Sequence, residues 1–305
     1  MLYGFSGAII SYAYSSDSSR LSMFRPTKNS FASIRALPQI KKEMATVAPV
    51  VMPRPRLKGK AAIVYPLEYG RYTVQKTPGE WLEAPLLKKL LNWYCGVLFS
   101  QVEIDVISCR EIMSGQLKNY KLLLMPIAPL TPDAADAKVK EFVNNGGILV
   151  ASAGTMSRSA DNYANKSNAW LFSDKTGKGK VYKVPAEPGF TETARIVKDI
   201  LRKIRIVPEI AVSGKQKFKY LETHLCGRDG RYVCAVYNWG GGGGKIKLDL
   251  KTLPQGCYQV RTLPHGNKCA DVTDGTLQTE IKSQEPVILL LEKAGLQPLQ
   301  IQEMS

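Results

Sequence analysis

Only two histidines, His224 and His265, occur among the 305 residues. A nucleophile activated by an imidazole needs that imidazole within hydrogen-bond reach, so the first two thirds of the chain lack a Ser-His or Cys-His pair of their own. The six cysteines contain no C-x-x-C pair and no Cys/His spacing of the zinc type, which argues against a metal site. No run reaches the ~18 apolar residues of a membrane span. The first strand is followed by residues 66–79, which lack G-x-G-x-x-G, and Ser152 has no G-x-S-x-G elbow around it. No cofactor is therefore expected. The apolar opening from Met1 to Ile10 has no basic residue ahead of it, so a secretory signal is not expected, and the reading is a soluble, cytoplasmic protein.

Acidic residues are also scarce: 26 Asp and Glu stand against 42 Lys and Arg, a formal charge of +16. Such an excess suits a polyanionic partner. The basic residues, however, are scattered (Lys41, Lys42, Arg54, Arg56, Lys138, Lys140, Lys215, Lys217) and have no aromatic-rich RNA-binding signature around them. They read as solvated faces, and nucleic acid is not expected as a partner. With 44% hydrophobic and 22% charged residues the chain belongs to the ordinary globular class, and its length suits two domains.

Residues 7–14 read as a short buried strand and Ser30 as the cap of a helix carrying Phe31, Ile34, Leu37, Ile40 and Met44. One strand and one helix cannot bury a core, so this opening needs a partner surface. The proline-rich stretch from Val51 to Arg56 ends it. Beyond it, strands alternate with helices: strands at Lys60–Tyr65, Val102–Ile107, Tyr120–Pro126 and Ile148–Ser152, and another beginning at Val181. One helix is fully punctuated, with Thr131 as N-cap, Pro132 and Asp133 in its first turn and Gly146-Gly147 as its stop. The alternation predicts a mostly parallel sheet covered on both faces, doubly wound and flavodoxin-like in order. From Pro208 the helical period disappears, and short alternating runs with an Asp229-Gly230 hairpin turn predict a small all-β sandwich. The expected divisions are 1–56, 57–207, 208–293 and a loose polar tail, 294–305.

Candidate sites are few. Tyr12, Tyr14 and Asp17 follow the opening strand as a substrate rim would, and Tyr237 and Trp239 offer a surface for stacking carbohydrate. Gly240–Gly244 before Lys245 lacks the spacing and the following Ser or Thr of a phosphate loop, and reads as a mobile strand connection. Cys95 and Cys109 sit in apolar contexts expected of buried thiols; Cys226, Cys234, Cys257 and Cys269 lie in the β region, where thiols and disulfides both remain open.

The order of these segments, with the strand Lys60-Ala-Ala-Ile-Val-Tyr65, the strand Tyr120-Lys-Leu-Leu-Leu-Met-Pro126 and then Phe142-Val-Asn-Asn-Gly-Gly-Ile-Leu-Val150, resembles the carboxyl-terminal part of family 42 β-galactosidases. The resemblance implies that residues 1–56 are the last strand and helix of a (β/α)8 barrel. It further implies a class I glutamine-amidotransferase-like trimerisation domain in the middle and the family's small β domain at the end. Its enzymes are retaining glycosidases whose two glutamates lie on earlier barrel strands, which this sequence does not contain, so no catalytic residue is carried over. The expected role is noncatalytic, in a truncated or split β-galactosidase-like protein: a homotrimer, or a partner to a separate catalytic barrel chain. A stand-alone carbohydrate-binding or scaffold protein, and a divergent amidotransferase-like hydrolase using Ser152, are the alternatives.

Overall fold

A computed structural model describes residues 60–69, 83–173, 177–185, 188–214, 220–263, 266–269, 271–283 and 285–299. The expected barrel remnant, with Tyr12, Tyr14 and Asp17, lies outside the described residues, as does His265. Contacts divide the chain into two units. One comprises Lys58–Ala211 with Lys219–Thr223; the other includes Val212–Phe218 and His224–Ser305.

In the first unit, β1 (Ala61–Val64), β2 (Ile104–Ile107), β3 (Leu122–Met125), β5 (Ile148–Ala151) and β7 (Lys180–Lys183) form a five-stranded sheet in the order β2-β1-β3-β5-β7. Every pairing is parallel. Successive strand residues point to opposite faces, and both faces are buried, which explains the unbroken apolar runs. Ala61, Ile63, Leu122, Leu124 and Val150 share one core with α1 (Glu83–Leu98) and α4 (Phe190–Lys203), where Trp93, Val97, Val197 and Ile200 are buried. Ala62, Val64, Leu123, Met125, Leu149 and Ala151 share the other with α2 (Cys109–Met113) and α3 (Asp133–Asn144), through Ile112, Ala135, Val139 and Val143. A two-stranded parallel pair, β4 (Leu130–Thr131) with β6 (Arg158–Ser159), stands beside this sheet.

Helix α3 ends where the sequence places its stop. Gly146 sits at φ 106°, its N–H donates to Val143 O at 3.0 Å, and Gly147 N–H donates to Phe142 O at 2.9 Å. This is a Schellman closure, and the positive φ is the reason for glycine. The start differs from expectation. Pro132, at ψ 143°, occupies the N-cap and has no side chain able to cap, while Thr131 closes β4 instead. The free helix amide of Asp133 is met by Asp161 Oδ2 at 3.0 Å, from a residue too distant in sequence to be read as a cap.

The second unit is antiparallel. β9 (Leu221–Arg228), β10 (Arg231–Asn238), β12 (Tyr258–Leu263) and β14 (Pro286–Lys293) form one sheet in the order β12-β14-β10-β9, and β8 (Ala211–Gly214), β11 (Gly244–Asp249) and β13 (Thr276–Ile281) form a second, β13-β11-β8. The first three residues of β9 group with the other unit. Asp229 (φ 54°) and Gly230 (φ 80°) make the expected tight turn between β9 and β10, both residues being left-handed as the sheet twist requires.

Residues 294–299 are held rather than loose. Glu292, 4% exposed, takes Arg231 at 3.4 Å and Arg261 on its carboxylate, and accepts the Leu299 amide at 2.9 Å. The same arginines donate onward to Gln297 O at 2.6 Å and Leu299 O at 2.8 Å. The polar composition of the tail conceals Leu299, which packs against Val233, Leu263 and Leu290.

Candidate functional site

Open α/β sheets bind ligands outside the carboxyl ends of their strands. Here those ends collect several side chains of catalytic type. Cys109 follows β2, Thr131 ends β4, Ser152 and Thr155 follow β5, and Asp136 lies in the first turn of α3. None of these, Ser152 apart, was singled out as a site residue by sequence; the available signal was that each directly follows a strand or opens a helix.

Their partners define what they can do. Thr155 Oγ1 donates to Met125 O at 2.7 Å and accepts the Ser152 amide at 3.0 Å, and the Ser152 hydroxyl lies 3.4 Å from the same oxygen. Both residues are buried. Asn168 Nδ2 then ties the loop by donating to Ala153 O at 2.9 Å and Thr155 O at 2.7 Å. Ser152 therefore serves a loop stitched to β3, with a hydroxyl rather than a base beside it. His224, the described histidine, is buried in β9.

Cys109 is fully buried, and burial pushes its thiol well above the ordinary value, with the Glu68 carboxylate next in effect. A thiol held protonated is a poor nucleophile. Beside it, Thr131 Oγ1 donates to Asp136 Oδ1 at 2.6 Å, and Lys166 reaches Thr131 O at 3.0 Å, Asp133 at 3.0 Å and Asp136. Burial raises the Asp136 carboxyl despite this lysine, whereas the exposed Asp133 is lowered, chiefly by its hydrogen bond from Lys166. The lysine bridges α3 to the 158–166 segment, so the arrangement fastens two elements together.

A cleft of about 510 Å³ does open in this unit, but at the amino ends of β3 and β5, where Leu117, Tyr120, Lys121, Phe142 and Gly147 line it. That is the end opposite the one where such sheets place their ligands. Among the described residues, no group of three or more His, Cys, Asp or Glu is arranged to hold a metal ion, and no helix is long and apolar enough to cross a membrane. All six cysteines are free thiols.

In the β unit the structure does bring Tyr237 and Trp239 together. Their ring centroids are 4.5 Å apart at 63°, edge to face, and Trp239 is 53% exposed. The glycine run after them is pinned rather than mobile. Asn238, fully buried between the two aromatics, donates to Gly242 O at 2.8 Å and accepts Gly240 N–H at 3.1 Å, while Ser283 Oγ donates to Gly240 O at 2.9 Å.

Comparison with known proteins places the first unit. Residues 59–169 match the family model described as the β-galactosidase trimerisation domain. A catalytic mutant of Gan42B, a GH42 β-galactosidase from G. stearothermophilus, superposes with a TM-score of 0.59 at 14% identity, over 88% of this chain and 44% of its own. The β-galactosidase of Bacillus circulans sp. alkalophilus gives 0.61 at 14%, over 84% and 45%. The α-L-fucosidase isoenzyme 2 of Paenibacillus thiaminolyticus gives 0.53 at 14%, over 88% and 53%. The chain thus spans about half the length of these enzymes, and at such identities the likeness is one of fold. No curated protein matches it in sequence. The chain is similar to the carboxyl-terminal part of GH42 β-galactosidases, as the order of its segments implies.

Proposed function

We propose that these 305 residues act as the noncatalytic carboxyl-terminal portion of a β-galactosidase-like glycoside hydrolase, in which the parallel-sheet unit assembles the protein into a homotrimer and supports a carbohydrate-active barrel. The observation that carries this is the match of residues 59–169 to a trimerisation domain, a stretch containing β1 to β6 and both helices of one sheet face. The strand order β2-β1-β3-β5-β7 supports a flavodoxin-like reading of this unit. The sequence-based division at about residues 57 and 207 follows from the same reading.

Two further features favour assembly over chemistry. The carboxyl end of the sheet is occupied by its own hydrogen bonds, with no imidazole among the described residues of this unit. Apolar side chains in the matched stretch, among them Leu67, Leu91, Val106 and Met113, are 36 to 55% exposed. Val106 stands on the sheet's outermost strand, β2, whereas the opposite edge strand β7 carries Lys180 and Lys183, which discourage edge pairing.

The test is the mass of the purified chain in solution by light scattering. Three copies of the 33.7 kDa polypeptide are expected. A monodisperse monomer with no affinity for a separate barrel would refute the assembly role, and galactoside turnover by the pure polypeptide would refute the noncatalytic one.

A further inference from the structure

We propose that the end of β10 and the glycine turn after it form a shallow saccharide site, in which the Trp239 indole is the platform for one pyranose ring. The inference stands independently of the assembly reading, because it rests on the β unit alone. Three observations converge on it.

First, the indole is both displayed and fixed. Trp239 is 53% exposed, while Trp93 of the same chain is 1% exposed. A large apolar ring left half in water is informative, since most such rings are covered. Tyr237 braces it edge-on at 4.5 Å, so little side-chain freedom remains to be lost when a ligand lands on it.

Second, the adjoining turn has a fixed shape and no side chains. The buried Asn238 amide engages both Gly240 and Gly242, and Ser283 holds Gly240 from the other side. A Cβ built on Gly241 or Gly242 would meet nothing within 4 Å, so crowding by the protein is not what excludes side chains there. Gly242, at φ 81°, and Gly244, at φ 150°, are kept as glycine by their backbone, and a Cβ on Gly243 would meet Ile281 O at 2.7 Å, whereas Gly241 has neither constraint. The N–H groups of Gly241 and Gly242 make no hydrogen bond with the described residues. They remain donors for a ligand's oxygens, two and three residues beyond the indole.

Third, the nearby charges are of both signs, the exposed Lys245 after the glycine run standing opposite Glu280 in the β11–β13 ladder. Lys282 is paired with Glu285 at 3.4 Å beside Ser283. A flat apolar face next to open backbone donors, without a track of unpaired cations, suits an uncharged sugar, whose C–H face stacks while its hydroxyls accept and donate at the rim. A nucleobase also stacks on tryptophan, but nucleic acid needs a basic groove for its phosphates.

The experiment uses the full chain labelled with nitrogen-15. The indole N–H resonance of Trp239 is assigned by its disappearance in Trp239→Phe and followed while neutral β-galacto- and cello-oligosaccharides are added at millimolar concentration. Selective displacement of that resonance, unchanged by added salt, is expected with one or more of them. Trp239→Ala should weaken binding by about tenfold or more, the scale of losing an aromatic anchor, and Trp239→Phe should retain most of it. The proposal is overturned if no oligosaccharide moves the Trp239 resonance, if Trp239→Ala binds as wild type does, or if a single-stranded oligonucleotide moves it in a salt-sensitive way where sugars do not. The wild-type titration decides the matter even if the alanine variant fails to fold.

Discussion

Replacing Glu292 with alanine removes a carboxylate that two arginines and one backbone amide share. The carboxylate is 4% exposed and the arginines are 20 and 29% exposed, so the cations keep a route to water that the anion lacks. Breaking a buried ion pair from one side costs about 3–5 kcal/mol, and the partial exposure of the arginines argues for the lower end, about 3 kcal/mol. For a unit of roughly a hundred residues each kcal/mol shifts Tm by about 4–8 °C, so a fall on the order of 12–24 °C is expected for the β unit. Circular dichroism melting reads this directly. Hydrogen exchange adds a local signature, because Leu299 N–H donates to the same carboxylate and should lose protection first. Glu292→Gln keeps an acceptor for that amide, so its exchange should stay slower than in the alanine variant. A Glu292→Ala melt within about 2 °C of wild type, with Leu299 still protected, would refute the clamp.

Trp93→Ala should destabilise the parallel-sheet unit by about 3–5 kcal/mol in urea titration, since the ring is 1% exposed between α1 and the sheet. Gly146→Ala forces a side chain into the left-handed region and should cost about 1–2 kcal/mol by the same measurement, without changing oligomer mass. Burial raises the Glu209 carboxyl above its ordinary 4.5, outweighing the hydrogen bond from the Glu103 amide, which lowers it. A carboxyl raised in the folded state binds its proton more tightly there than in the unfolded chain, so stability falls as pH rises above that ordinary value. Glu209→Gln should therefore raise Tm at pH 7 and lose this advantage below about pH 4.5; an equal effect at both pH values would contradict it. Burial lifts the Cys234 thiol to about 12 and raises the Cys109 thiol as well. Mass spectrometry after iodoacetamide at neutral pH should find both unmodified until denaturant is added, and the half-buried Cys257 and Cys269 modified earlier.

Much of the architecture was legible from local chemistry. Strands buried on both faces carry unbroken apolar runs, as at Leu122–Met125 and Ile148–Ala151, and such runs between helical periods leave few alternatives to a parallel sheet. The stop at Gly146-Gly147 and the turn at Asp229-Gly230 were readable because left-handed backbone selects glycine and, less often, Asp or Asn. Tyr237 and Trp239 were named from sequence only as stacking candidates; that their rings meet edge to face follows from their places two residues apart at a strand end.

What sequence alone determined was therefore the alternation of strands and helices in the first unit, the strand-rich character of the second and the missing imidazole, because these depend on periodicity, backbone geometry and side-chain inventory along the chain. Tertiary structure decided which distant groups meet. Asp161 caps α3 in place of Thr131, Lys166 bridges Asp133 and Asp136, Asn238 fastens the glycine turn, and Glu292 with two arginines anchors a tail whose polar composition suggested freedom. Hydrogen-bond and ion-pair partners separated by tens of residues leave no period in a sequence; only the folded backbone brings their atoms within the short range over which such bonds act.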